Sequence, residues 1–162
     1  MDDYEPSSDF LRAVAADVAP LSGSIFGDAN LRLLIAMTGH EDTANRDWAT
    51  FLLAQCELDG EEIRQALLRA ASDDKGAVGA EALVGLARRD RALALPLVRQ
   101  ALARDSVHVP LFEAAAIIAD PVLIGALQRF AGPPGASVDP EIAYAIKACQ
   151  AGRQREQSKQ AG

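Results

Sequence analysis

Aromatic residues make up only 5% of this 162-residue chain, and a single tryptophan is among them. Any core must therefore be assembled from Ala, Leu, Ile and Val, which suits closely packed helices better than a β-sandwich. Runs of β-branched residues are absent and helix formers dominate the middle of the chain, so the fold class is all-α. No stretch approaches the roughly 20 uninterrupted apolar residues that a membrane span needs. The start, Met1-Asp2-Asp3-Tyr4-Glu5-Pro6, is acidic where a secretory signal is basic and then apolar. The expected address is the cytoplasm, with no membrane partner. Cys56 and Cys149 lie far apart on apolar helical stretches and match no metal or redox spacing. They read as buried thiols, with a disulfide as the alternative.

Groups that do chemistry are equally scarce. There are two histidines, His40 and His108. His40-Glu41-Asp42 is a lone His-Glu pair in an inter-helix loop, too few ligands for a firm metal site. His108 stands before Val109-Pro110 without a nearby partner. No serine sits in a nucleophile-elbow setting, and no Gly-rich phosphate loop appears. Glu81 and Glu113 hold equivalent helix positions, an alignment that a repeat explains without acid–base chemistry. The expectation is a protein that is not an enzyme and carries no cofactor or metal.

Charge is informative through its distribution. The total is −7. Residues 1–60 carry 11 acidic and 3 basic side chains, a balance of −8, whereas residues 61–162 carry 12 and 13, a balance of +1. Phosphate neutralisation needs Lys and Arg, so a nucleic-acid partner is not expected. A basic protein partner fits, its encounter hastened by the acidic field; plain solubility accounts for the same charge.

What is present is a beat. Asp28, Asp59, Asp90 and Asp120 stand 31, 31 and 30 residues apart, each ahead of a short apolar helical pattern whose first N–H groups a carboxylate can cap. A period of this length is the mark of stacked helical repeats. A first helix is expected from Asp9 to Val18, stopped by Pro20, then a loop over Leu21–Gly27, then a helix capped by Asp28 and closed by Gly39. Asp42 or Thr43 starts the next helix through Trp48, Phe51, Leu52 and Leu53. Asp59 and Glu62 have the spacing of a capping box. Val78 to Leu86 and a helix opened by Asp90 form the following pair; Pro96 predicts either a start near Leu95 or a bend. Val109 to Ala119 precedes Asp120-Pro121, a cap followed by proline at the first helical position. Gly132-Pro133-Pro134-Gly135 breaks the pattern, and Asp139-Pro140 starts a last helix over Ile142, Ala145, Ile146 and Cys149. Residues 1–8 are expected as a disordered acidic tail, 9–150 as one domain, and 151–162 as a disordered polar tail. In register, Ala49, Ala82 and Ala114 share one position, Leu53, Leu86 and Ile118 a second, and Ala54, Ala87 and Ala119 a third. Trp48 has two readings, buried packing or an exposed anchor.

The stretches Asn45-Arg46-Asp47-Trp48-Ala49-Thr50-Phe51 and Ala80-Glu81-Ala82-Leu83-Val84-Gly85-Leu86-Ala87-Arg88-Arg89 resemble the first helices of bacterial HEAT-like repeat proteins, and Leu95-Pro96-Leu97-Val98 resembles the start of their second helices. The resemblance covers roughly residues 28–131. It implies a short right-handed α-solenoid of about four helix pairs with a C-terminal capping helix. It also implies that the second helices line the concave face, which places Arg64, Gln65, Arg69, Arg99, Gln100, Arg104, Gln128 and Arg129 along a binding stripe; the same polar residues are what any solvated helix face requires. Asp42, Asp47, Asp59 and Glu62 form the acidic counterpart for a basic partner. The family implies a scaffold or adaptor for proteins, with a small acidic inhibitor or immunity protein against a basic toxin or enzyme as the alternative. HEAT-like enzymes (metal-dependent hydroxylases, bilin lyases, DNA glycosylases) are the competing class. Their repeated His-Glu pairs, enclosed pocket or basic groove are missing from this sequence.

Overall fold

The computed structural model describes residues 5–133 and 137–160, apart from the side chains of Glu156 and Gln160. These residues form nine α-helices, one 3-10 turn and no strand: α1 (Asp9–Ala15), α2 (Ile25–Met37), α3 (Thr43–Gln55), α4 (Glu61–Ala70), α5 (Gly76–Arg89), α6 (Arg91–Ala101), α7 (Pro110–Ile118), the 3-10 turn (Pro121–Leu123), α8 (Ile124–Gln128) and α9 (Pro140–Gln160). The chain is all-helical, as its composition predicts. Its helices group into two compact units, residues 1–85 and 86–162.

In the first unit α3 packs on α1, α2 and α4, and α2 also meets α4. Leu11, Leu34, Leu53 and Leu67 are fully buried there, one from each of the four helices. Gly85 lets α5 come close: a Cβ on it would lie 2.9 Å from Ala54 and from the Leu67 Cδ1. In the second unit α7 packs on α6 and α9, and α9 also meets α8 and the 3-10 turn. Val98, Leu102, Leu123, Leu127 and Cys149 fill that core. The small-residue register matches burial: Ala49, Ala82 and Ala114 are each fully inaccessible, as are Leu53 with Leu86 and Ala54 with Ala87. Ala119 departs from the pattern. It ends α7 in the left-handed region (φ 54°) and is half-buried.

The aspartate beat holds for half its members. Asp90 caps α6 by accepting from the Leu93 N–H at 2.9 Å, and Asp120 caps the 3-10 turn through Val122 N–H at 2.8 Å. Asp28 caps nothing: Ser24 starts α2 one turn earlier by accepting from the Gly27 N–H at 3.1 Å, which draws Ile25 and Phe26 into the helix. Asp28 instead sits in the first turn, where the helix dipole favours its charge. Asp59 does not form the capping box either, because Gly60 occupies the cap position and the Asp59 carboxylate turns to the Arg64 guanidinium. Asp42 caps α3. The first helix stops at Ala15 rather than Val18, since Asp17 takes a left-handed conformation (φ 55°) and the Val18 N–H folds back to Ala13. α6 runs through Pro96 from Asp90, and the exposed ring omits only one backbone donor. Residues 151–160, within the stretch expected as a disordered tail, lie in α9. In residues 5–8, Ser7 accepts from Asn45 and Ser8 caps α1. Residues 1–4 and 161–162 of the two expected tails, and 134–135 of the expected break, lie outside the described residues.

Candidate functional site

Two of the three stripe residues of the first unit, Arg64 and Gln65, already have carboxylate partners. On α4 the Arg64 guanidinium meets Asp59 at 2.9 and 2.6 Å, so a predicted basic contact and a predicted acidic contact neutralise each other. Gln65 donates to Glu61 at 2.7 Å, and Arg69 and Glu62 are exposed. Asp42 is used as a cap and Asp47 is half-buried on α3.

The second unit is different. Arg99, Gln100 and Arg104 are exposed, and neither arginine meets a carboxylate among the described residues. Asp90 starts α6 in a register that points Leu95, Pro96, Arg99, Gln100 and Ala103 to one side. With Asp120 and Val122 they line a groove of about 710 Å³. Its floor is apolar (Leu95, Pro96, Ala103, Val122), and its polar groups are one cation, one amide and one carboxylate. Proline at position 96 leaves the Ala92 carbonyl without its helical donor, on the same exposed side. Arg129 lies 3.8 Å from Asp105, donates to the Ala103 carbonyl at 3.4 Å and stacks against Phe130 at 5.9 Å, which holds it beside the groove; Gln128 is exposed. A smaller hollow of about 310 Å³ lies among Val109, Pro110, Glu113, Glu141 and Tyr144. Glu113 there accepts from Arg88 at 2.8 Å.

One well-shielded ion pair carries no signal in the sequence. Arg46 on α3 meets Asp73, in the α4–α5 turn, at 2.5 and 3.3 Å, and donates to the His40 and Glu41 carbonyls at 2.9 and 3.3 Å. Both side chains are nearly inaccessible, 14% and 10% exposed. The Asp73 hydrogen bond, against the cost of burial, raises the guanidinium further above its ordinary range. Burial alone pushes the Asp73 carboxyl up, but hydrogen bonds from Arg46 and the Lys75 N–H outweigh it and hold the group below the ordinary carboxylate range. The partners stand 27 residues apart with no motif linking them, so no local signal announces the pair.

Among the described residues no group of three or more His, Cys, Asp or Glu is placed to hold a metal ion. His40 uses Nδ1 to accept from the Asp42 N–H at 3.0 Å, a local loop contact. Trp48 is half-buried and edge-on to the exposed Phe51 (5.9 Å, 83°), neither wholly core nor a free anchor. Both cysteines are thiols. Cys149 is buried as predicted, whereas Cys56 is half-buried. Burial, helped by Asp120, pushes the Cys149 thiol up to about 11, and at neutral pH almost none of it is the reactive thiolate. Under native conditions a thiol reagent is therefore expected to modify Cys56 first, with Cys149 reacting only as the second unit opens. Mass mapping over time checks the order, and equal rates would contradict the buried placement. No helix of the described residues is long and apolar enough to cross a membrane.

No protein-family model matches the chain. No curated protein matches it. Among solved structures, the crystal structure of YibA from Escherichia coli is similar, with a TM-score of 0.62 at 20% identity over 87% of this chain. The chain spans about half the length of YibA, 54%. At this identity the likeness concerns the all-helical fold alone.

Proposed function

We propose that this chain is a non-catalytic protein-binding module of HEAT-like repeat build, a cytoplasmic scaffold or adaptor that holds a partner along the outward face of α6. The observation carrying this reading is the groove at Arg99 and Gln100, an apolar floor with a sparse polar rim. That composition matches the apolar core and polar edge of protein interfaces, where arginine recurs at the energetic centres. The lining comes mostly from one helix, so little side-chain and backbone freedom is lost on docking. Arg99, exposed and without an ion pair among the described residues, suits a partner offering an acidic side chain beside an apolar one. The 30–31 residue beat and the buried alanine register support a stacked-pair solenoid as the scaffold.

Affinity capture from lysate of the native host, followed by titration of the retained protein, tests the reading. Arg99→Glu is expected to weaken retention about tenfold or more, by reversing charge at the groove. Arg64→Gln serves as the comparison and is expected to bind like wild type, because Arg64 is already tied to Asp59. Undiminished binding by a folded Arg99→Glu protein would move the interface off α6, and failure to retain any protein would remove the module reading.

A further inference from the structure

We infer a second docking surface, on α2, that takes a cationic amphipathic helical segment of another protein. It stands apart from the α6 groove and does not rest on it. Because Ser24 rather than Asp28 starts α2, Ile25 and Phe26 enter the helix. At 100° per residue, Ile25, Phe26, Ala29, Leu33 and Ala36 fall in one sector about 100° wide. All five are exposed, Ile25 by 79% and Phe26 by 73%. The opposite side carries the buried Gly27, Leu34 and Thr38. α2 is thus apolar on both faces, the pattern of a helix buried all round, yet one face meets solvent. Val18, in the segment before α2, is also 74% exposed, and the Asn30 side chain donates to the Pro20 carbonyl at 2.9 Å. A run of exposed apolar side chains along one helix face with a polar rim is the pattern of an interaction site.

Charge selects the occupant. Residues 1–85 hold 16 acidic and 6 basic side chains, a balance of −10, whereas residues 86–162 hold 7 and 10, a balance of +3. Four of the six cations in the first unit are already paired: Arg12 with Asp9, Arg46 with Asp73, Arg64 with Asp59 and Lys75 with Asp74. On the rim, Arg32, the only cation of α2, borders the apolar sector with Asp28 just beyond it, and Asp17 precedes Val18 in the chain, so the acidic balance of the unit as a whole sets the sign. A second copy docking through the same face would bring two units of −10 together, and an anionic bilayer meets the same repulsion. A segment with an apolar face and Lys or Arg flanks gains on both counts. Docking of an amphipathic helix through anchors at i, i+4 and i+7 is an established recognition mode, and the exposed α2 sector offers the complementary ridge.

The test uses the full chain and two helical probes of equal length, built from Leu on one face with Lys or with Glu on the other. The Leu/Lys peptide is expected to bind, weakening as salt rises, and the Leu/Glu peptide at least tenfold less. Phe26→Asp with Leu33→Asp adds two negative charges yet is expected to lower Leu/Lys binding at least tenfold; Phe26→Ala with Leu33→Ala should lower it in the same direction and serves if the aspartates disturb α2. Arg99→Glu should leave it unchanged. Equal or tighter binding by the Asp pair would reduce the effect to bulk charge and overturn the inference. Equal binding of both peptides, Phe26-dependent self-association in sedimentation, or Phe26-dependent binding to phosphatidylglycerol vesicles would each overturn it in favour of another occupant.

Discussion

Arg46→Ala is expected to cost about 3 kcal/mol of stability, because it leaves the Asp73 carboxylate buried with its main partner gone. The guanidinium also donates to the His40 and Glu41 carbonyls, so the truncation frees the loop before α3 as well. Asp73→Ala should cost a similar amount, since the Lys75 N–H loses its acceptor together with Arg46. Replacing both with apolar residues of similar volume is expected to recover most of the loss, as the pair's own net worth is small once its desolvation is counted. The four proteins compared by urea unfolding at neutral pH give the coupling directly. A loss under about 1 kcal/mol for either single variant would mean that water reaches the pair and screens it as at a surface. The pH dependence has a definite sign. The folded carboxyl of Asp73 sits below its unfolded value, so between the two the unfolded chain binds more protons. The contribution is present in full above the ordinary carboxylate range, about 4, and is lost as pH falls through the folded value. In Asp73→Asn that acid-side slope should flatten.

The second large effect is expected at Gly152, where a single methyl group has no room. A Cβ there would lie 1.9 Å from the Ala119 carbonyl oxygen, and that oxygen belongs to the backbone turn that ends α7. Gly→Ala inside a helix normally stabilises by roughly 0.5–1 kcal/mol, by removing freedom from the unfolded chain. Gly152→Ala is expected to destabilise by about 2–3 kcal/mol instead, the range for forcing extra volume into a packed site. The damage should concentrate in the last turns of α9, seen as faster amide exchange after residue 150. Gly125 on α8 supplies the contrast, since a Cβ on it meets nothing within 4 Å. Gly125→Ala should be neutral or mildly stabilising. If the two substitutions shift the melting temperature alike, the close approach of α9 to α7 is wrong.

Residues with a local cause for their structure were legible in advance. Asp90, Asp120 and Asp42 announce their helices because a cap acts over three residues. The alanine register announced its burial because helical period alone carries Ala49, Ala82 and Ala114 inward. Asp28 and Asp59 do not cap, because a cap depends on the backbone dihedral at the position before the helix, which several candidates can adopt. Ser24 and Gly60 took those places. Of the stripe, the sequence marks Arg64 and Arg99 as equals. Only their neighbours in space distinguish them, one tied to Asp59 and the other open above an apolar floor. The exposed sector of α2 was hidden for the same reason, since a helix starting at Asp28 omits Ile25 and Phe26.

The all-helical class, the small-residue core and the polarity of charge are written in the composition and its period. They arise from propensity, apolar spacing and formal charge, which each residue contributes wherever it lies. Tertiary structure decided the rest: the division at residue 85, the Arg46–Asp73 clasp, the ordered end of α9 under Ala119, and which charged side chains stay open. The clasp and the end of α9 depend on groups 27 or more residues apart meeting within a few ångströms, and the free energy of such a meeting resides in the pair and its burial, not in either residue alone.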